Sequence, residues 1–331
     1  MSLAQRAILE DFNGNIEEFV KHFGLHHVKH PRYQNLHLLK YRNIGKLKHP
    51  EVAECRGLIL DEQKDFEPVC RPFDKFYNIF DPREAKLDWK YVDYYLKMDG
   101  TLCNVWFYDK EWRISTTGTP DAGGFVGQTT NTFRDLFWDT VKSQRIEFPN
   151  GELNRSITFM FELVGPENRI IVRYEKPALI LIGARFRTGR EINVENASSL
   201  WKLPCVTKFP LTSKSAALEE VRKFNPYKAE GLVAVDQYFK RVKIKSPLYT
   251  LIHQFKDLSQ ADILVKLLTD EIDNRSDLPE EIKDSIDQLE QDLVVMLNKI
   301  SATYKTLEGI SDQKTFALEA KKHSYQHVLF A

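Results

Sequence analysis

The sequence predicts an α+β protein with mainly antiparallel strand pairing, followed by a small all-helical C-terminal domain. Short segments rich in β-branched and aromatic residues recur up to about residue 249. Helix-patterned stretches lie between them without a fixed repeat, as α+β layering requires. Beyond Tyr249 the apolar period changes to three- and four-residue steps. At 331 residues the chain suits one large domain or two unequal ones, here 1–249 and 250–331.

In chain order, strands are expected at Gly57–Leu60, Leu102–Tyr108, Ile157–Val164, Ala178–Ala184 and Gly231–Asp236, and helices at Thr129–Ser143 and Ser215–Lys223. From Pro279 onward, Ile282, Ile286, Leu289, Leu293, Leu297, Ile300, Tyr304 and Leu307 form one apolar stripe, the pattern of a helix packed on a core. Asp277 is placed to cap that helix, Pro279 suits its first turn, and Gly309 suits its stop. Gly123-Gly124-Phe125-Val126-Gly127 lacks the Lys-Ser or Lys-Thr of a phosphate-binding loop and reads as a flexible turn.

Composition excludes several classes. No apolar run reaches the ~18 residues of a membrane span, and the acidic N-terminus is unlike a signal peptide. A cytoplasmic protein is expected, in host cytoplasm if the source is viral. Cys55, Cys70, Cys103 and Cys205 have no metal-ligand spacing and are expected as reduced thiols. The net charge of +0 conceals asymmetry: Lys21 to Pro50 holds seven Lys or Arg and no acid, whereas Lys256 to Lys299 holds twelve acids and five bases. The basic arm, with His22, His26, His27, His30 and His37, is expected to be a partly exposed surface suited to RNA phosphates. Asp270 and Asp273 read as a solvated helix end.

The most informative segment is Tyr94-Tyr95-Leu96-Lys97-Met98-Asp99-Gly100-Thr101, where a lysine closes an apolar strand and a loop with glycine follows. Attack by an amine on a phosphate requires the neutral form, so such a lysine needs burial or neighbouring cations. Gly100 would allow close approach of the backbone to a nucleotide. A lone K-x-D-G is equally an Asp-Gly hairpin turn, so its company decides. That company is Glu54-Cys55-Arg56-Gly57, Cys70-Arg71-Pro72-Phe73-Asp74-Lys75-Phe76-Tyr77-Asn78, Phe161-Glu162-Leu163-Val164-Gly165-Pro166, Glu230-Gly231-Leu232 and Val242-Lys243-Ile244-Lys245-Ser246. On a strand, Lys243 and Lys245 face one side. Two adjacent ammonium groups call for an anion, and a triphosphate fits; the same field would favour a neutral Lys97.

In set and order these segments resemble the covalent nucleotidyltransferase superfamily and, within it, the bacteriophage-type RNA ligase 1 family. The likeness covers most of the chain, including Asp312–Ala320, which is similar to part of that family's helical C-terminal domain. The resemblance implies an adenylyltransferase core of antiparallel sheets with flanking helices, and an ATP-dependent ligase that joins RNA 5′-phosphate and 3′-hydroxyl ends. The implied route has three steps: a lysyl-AMP intermediate, an adenylylated RNA, then displacement of AMP. It makes Lys97 the nucleophile and places Lys243 and Lys245 on the transferred phosphates. Arg56 and Lys75 would act around the nucleotide, Glu162 on the ribose or a metal-bound water, and Glu230 as the ligand of Mg²⁺ or Mn²⁺. Tyr41, Phe76, Tyr77 and Tyr249 are candidates to stack on adenine or an RNA base.

One position departs from the resemblance. Where the resemblance places a lysine before a glycine on the strand after the nucleophile, this chain has Thr117-Gly118, so either Arg113 or another base supplies the charge or the nucleotide is gripped differently. A DNA ligase or capping enzyme would carry a β domain where this chain reads as helical. The competing classes are a non-catalytic RNA-binding relative and a ligase that also accepts DNA. The resemblance further implies RNA repair, with cleaved tRNA as a candidate substrate, a separate end-healing enzyme, no membrane partner and a monomeric state.

Overall fold

In the computed structural model the described residues are 1–42, 48–255, 280–323 and 329. The chain forms two compact units, Met1–Tyr249 and Thr250–Ala331.

The first unit opens with helices α1 (Leu3–Glu10) and α2 (Ile16–Phe23). Ser2 and Gln5 form a capping box on α1, and Asn15 caps α2. With the short helix α3 (Pro50–Glu54), they cover one face of an antiparallel sheet of β1 (His26–Lys29), β2 (Leu36–Lys40), β3 (Arg56–Asp61) and β4 (Glu67–Cys70). Alternation along β2 and β3 sends Leu39, Leu58 and Leu60 towards the helices. It sends Leu36, Leu38 and Ile59 towards Trp106 on the opposite face.

The basic arm is largely the β1–β2 hairpin. Its cations Lys29, Arg32 and Arg42 are exposed, whereas His30 and His37 are buried. The cause is local bonding: His30 Nδ1 accepts the amides of Arg32 and Tyr33, at 3.1 and 3.3 Å, and His37 lies 2.8 Å from the His27 ring nitrogen.

A second sheet has the order β11 (Glu191–Ile192), β10 (Ala178–Phe186), β9 (Ile157–Val164), β7 (Thr101–Tyr108), β8 (Glu111–Thr116). Phe159, Phe161, Leu179 and Leu181 pack with Phe137 of α4 (Phe133–Gln144) and Ala197 of α5 (Val194–Trp201). Each large apolar side chain so buried contributes about 1.5–3 kcal/mol. Helix α4 starts at Phe133, four residues after the expected Thr129, because Phe125 bridges Thr132 and closes the glycine-rich turn first. Thr132 and Asp135 then form its capping box.

The third sheet has the order β12 (Lys208–Phe209), β6 (Val92–Lys97), β13 (Gly231–Asp236), β14 (Arg241–Lys245), β5 (Tyr77–Asn78), with only the last pair parallel. Tyr94, Leu232, Ala234, Val242 and Ile244 bury one face against α6 (Lys214–Arg222). The other face stays open for the site described below. Helix α7 (Pro247–Phe255) follows.

In the second unit, helices α8 (Glu280–Leu307) and α9 (Gln313–Ala320) bury Ile300, Leu307, Ala320 and Leu329. The stripe is only partly core, since Tyr304 is 47% exposed. Asp312 caps α9 through the Thr315 amide at 2.8 Å. Asp270, Asp273, Asp277 and Pro279 lie outside the described residues.

The segment from Arg71 to Phe76 is pinned at three points. Arg71 donates to buried Glu54 at 2.5 Å, Arg185 donates to Asp74 at 2.7 Å, and the Phe73 ring lies where a Cβ on Gly183 would otherwise stand. Glu54 also accepts the Ala4 amide at 3.0 Å. Truncating Glu54 to Ala leaves the Arg71 charge buried and unpaired, with an expected loss of about 3–5 kcal/mol. Urea unfolding of Glu54→Ala beside the parent protein measures it; a loss below about 1 kcal/mol would mean the pair is dispensable.

Candidate active site

Three strands of the third sheet place the lysines. Lys97 ends β6, Lys245 ends β14, and both lie opposite Gly231 at the start of β13. Glu230, one residue earlier, therefore sits between two ammonium groups. Lys97 donates to Glu230 Oε2 at 2.6 Å, and Lys245 Nζ lies 2.9 Å from Oε1. Glu230 is 3% exposed, whereas its two partners retain solvent contact. Gly231 makes this register possible, because a Cβ there would strike the Ile244 carbonyl and the Lys245 Cα.

The same face of the sheet forms one wall of a cavity of about 970 Å³, lined here by Tyr95, Lys97, Val233, Arg241 and Lys243. Leu102, Glu162 and Ile182 of the second sheet line it as well, with Arg56, Phe76 and Thr117. Strand alternation decides the membership: residues 95, 97, 233, 241 and 243 face the cavity, and their neighbours 94, 232, 242 and 244 face the core.

Arg56 and Lys243 lie over the Phe76 ring at 5.9 and 4.8 Å from its centroid. Arg56 Nη1 is buried without a hydrogen-bond partner. Lys243 makes no ion pair with the described residues. Burial pushes its amine down to about 7, with Lys75, Lys97, Arg56 and Lys245 adding to the effect. Glu162 moves the other way: burial raises its carboxyl to about 7, against the opposing pull of Lys97 and Arg56. A lysine and a glutamate that both titrate near neutrality thus face one cavity, a common sign of a functional site.

Not every expected residue reaches the cavity. Lys75 lies over the rings of Tyr41 and Tyr77, at 5.2 and 5.7 Å, and neither Lys75 nor Tyr41 is part of the lining. Tyr249 is 1% exposed and gives its hydroxyl proton to Asp99 Oδ1 at 2.6 Å, so its ring is no stacking platform. Arg113 turns away as well, paired with Glu111 at 2.7 Å and donating to Tyr33 at 2.5 Å. Gly100, by contrast, does line the cavity, and it also serves strand packing: a Cβ there would strike the Leu163 carbonyl of β9.

Two groups to which the sequence assigned no role belong to the site. Asp99 is buried, and besides Tyr249 it accepts the amides of Ile171 and Val172, at 2.9 and 2.8 Å. It orders the turn after Lys97. Arg241 lies over Phe73 at 4.2 Å and pairs with Glu191 at 2.5 Å, closing the far side of the cavity. Their position two residues from a motif lysine was the available signal.

A family model described as RNA ligase, of the phage T4 ligase 1 type, matches residues 54–249. The chain belongs to the phage-type RNA ligase 1 family. An RNA ligase of Rhodothermus phage RM378 is 30% identical, over 84% of this chain and 78% of its own length. A protein of Autographa californica nuclear polyhedrosis virus, whose description combines polynucleotide kinase with RNA ligase, is 29% identical over 77% of this chain and 38% of its own. In fold, the chain is similar to an archaeal ATP-dependent RNA ligase with a TM-score of 0.53, at 16% identity over 87% of this chain and 78% of that one. The matched residues begin at Glu54 and end at Tyr249, and so contain every motif of the cavity.

The Glu162 carboxyl sets a pH dependence. A pKa raised on folding means that its stabilising contribution is complete at low pH and is lost as pH rises towards about 7. Glu162→Gln is therefore expected to gain in Tm relative to the parent protein between pH 5 and pH 8. A Tm difference that does not change with pH would refute the assignment.

Proposed function

We propose that the chain is an ATP-dependent RNA ligase in which Lys97 is the nucleophile. The observation that carries this reading is the cavity itself, where Lys97 opens beside Lys243 and an unpartnered Arg56 nitrogen, with Glu230 behind. The Lys97 amine attacks the α-phosphorus of ATP; a phosphorus–nitrogen bond forms, the bond to the bridging oxygen breaks, pyrophosphate leaves and the amine proton passes to solvent. The AMP then moves to an RNA 5′-phosphate, and a 3′-hydroxyl displaces it. The names of the phage and baculovirus relatives support RNA as the substrate class.

Arg56 and Lys243 suit the phosphates, one as a planar fork and the other as a point charge. Lys243 lacks an anion, and a bound polyphosphate would provide one. Lys245 stands second in line, sharing Glu230 with Lys97. The adenine has the apolar part of the cavity, including Phe76 and Ile182, and Glu162 is within the same wall for the ribose. Lys75 and Tyr41 would then act from just outside, through the field on Lys243.

For a divalent ion the donor type fits, since Mg²⁺ or Mn²⁺ is commonly held by one or two carboxylates and the substrate's phosphates, but each Glu230 oxygen is paired with a lysine that the ion would have to displace. When bound, it would neutralise charge on the reacting phosphates. Repair of cleaved RNA such as tRNA, with ends healed by another activity, is the use this chemistry serves. The kinase named with the ligase in the baculovirus relative is an activity of that type.

Incubation with α-labelled ATP and Mg²⁺, followed by a denaturing gel, tests the reading. An acid-labile AMP adduct is expected on the parent protein and none on Lys97→Ala; an undiminished adduct on the variant would exclude Lys97. With 5′-phosphorylated strands, RNA should be joined in preference to DNA, and equal joining would overturn the substrate assignment.

Lys243 adds a pH signature. A phosphate raises the pKa of an ammonium beside it, so binding takes up a proton where the free amine is neutral, above about 7. Pyrophosphate affinity should therefore fall as pH rises from 7 to 9, with proton uptake measured by calorimetry in buffers of different ionisation heat. Lys243→Met should remove that uptake; uptake unchanged in the variant would place the titration elsewhere.

A further inference from the structure

Lys40 ends β2, ahead of the first residue that the family model matches. It lies opposite Arg56 on one side and His26 on the other, so the three share one face of the first sheet. An irregularity at Gly57 sets this register, with φ at +87° and a Cβ position only 3.0 Å from the Thr117 Cα. The start of β3 is thereby pressed against Thr117, which lines the cavity beside Arg56. The Lys40 ammonium stands just past Thr117, 3.7 Å from where a Cβ on Gly118 would be, and His26 lies 3.3 Å from the Gly118 carbonyl.

Lys40 is partly buried and makes no ion pair with the described residues. The charged groups beside it are Arg56 and, through His26, Arg42, whose guanidinium lies 2.9 Å from the His26 ring. Holding a half-buried ammonium among like charges is unfavourable until an anion arrives. Arg113 is committed to Glu111 and Tyr33, so Lys40 is the cation that this rim offers at Thr117.

We propose that Lys40 binds a phosphate group at the mouth of the cavity and supplies there the positive charge that Thr117 lacks. This inference rests on the ligase reading. The phosphate belongs either to ATP or to the 5′ strand of the RNA, and two assays separate the sources. One follows formation of the lysyl-AMP adduct as ATP is varied. The other follows joining of pre-adenylylated RNA, which needs no ATP. Lys40→Met is expected to raise KM about tenfold in one of them, the loss of one charge-assisted hydrogen bond, with a smaller change in kcat. A rise in the ATP assay assigns a nucleotide phosphate, and a rise in the RNA assay assigns a strand phosphate.

Lys40→Arg should keep the parent value within about twofold, because the charge remains. Thr117→Lys, placed in the Lys40→Met protein, should restore most of the loss by returning a cation to the same rim. A purely structural Lys40 would not respond to that relocation. The proposal is overturned if Lys40→Met matches the parent in both assays, or if Thr117→Lys restores nothing in a double variant whose melting curve matches that of Lys40→Met. Absence of an adduct on the parent protein would instead remove the ligase reading, so the two failures are distinct.

Discussion

The site depends on one buried carboxylate shared by two ammonium groups. Glu230 lies between Lys97 and Lys245 because β13 lies between β6 and β14, and a side chain at Gly231 would force those strands apart. A buried carboxylate is costly unless its oxygens are paired, and here each oxygen has its own lysine. The arrangement accounts for two of the cations in this region. Arg56 and Lys243 remain over Phe76 without a carboxylate of their own, so the cavity has an excess of positive charge on one wall.

That excess determines what can enter. Lys243 meets it by giving up its proton near neutral pH, and Glu162, across the cavity, meets burial by holding on to one. Burial in low dielectric drives both; phosphate oxygens reverse the first, by favouring the ammonium, and reinforce the second, since an anion disfavours a carboxylate beside it. The apolar face made by Phe76 and Ile182 gives a base somewhere to lie while its phosphates meet the cations. Pocket shape and charge thus agree on a nucleotide, which is the chemistry of the family the chain belongs to.

Much of this was legible in the sequence, though unevenly. Strands Ile157–Val164 and Gly231–Asp236 stand where β-branched and aromatic runs place them, because each run is bounded by residues unsuited to continuing it. The β1–β2 hairpin was not visible as strands, since its histidines and lysines mask the alternation that Leu36, Leu38 and Leu39 carry. Among site residues, Lys97, Glu162, Lys243 and Arg56 meet in one cavity as their motifs suggest. Asp99 and Tyr249 could not be understood locally: their roles come from a contact between residues 150 apart in sequence. Tyr249 follows the paired lysines as an aromatic suited to stacking on a base, and only packing turns it inward.

The same separation has a consequence for how the protein is made. Lys97 and Glu230 are 133 residues apart, and Asp99 and Tyr249 are 150 apart, so the surroundings of Lys97 close only through long loops. Contacts of this kind incur their ordering entropy before they reward it, and they form late. On a ribosome, β6 emerges long before β12 and β13, the strands it pairs with, and Lys97 emerges without Glu230. The cavity wall is complete only when β13, β14 and the start of α7 arrive. A nascent chain that stalls earlier carries Lys97 but neither its carboxylate partner nor the cavity, and its site is not yet assembled.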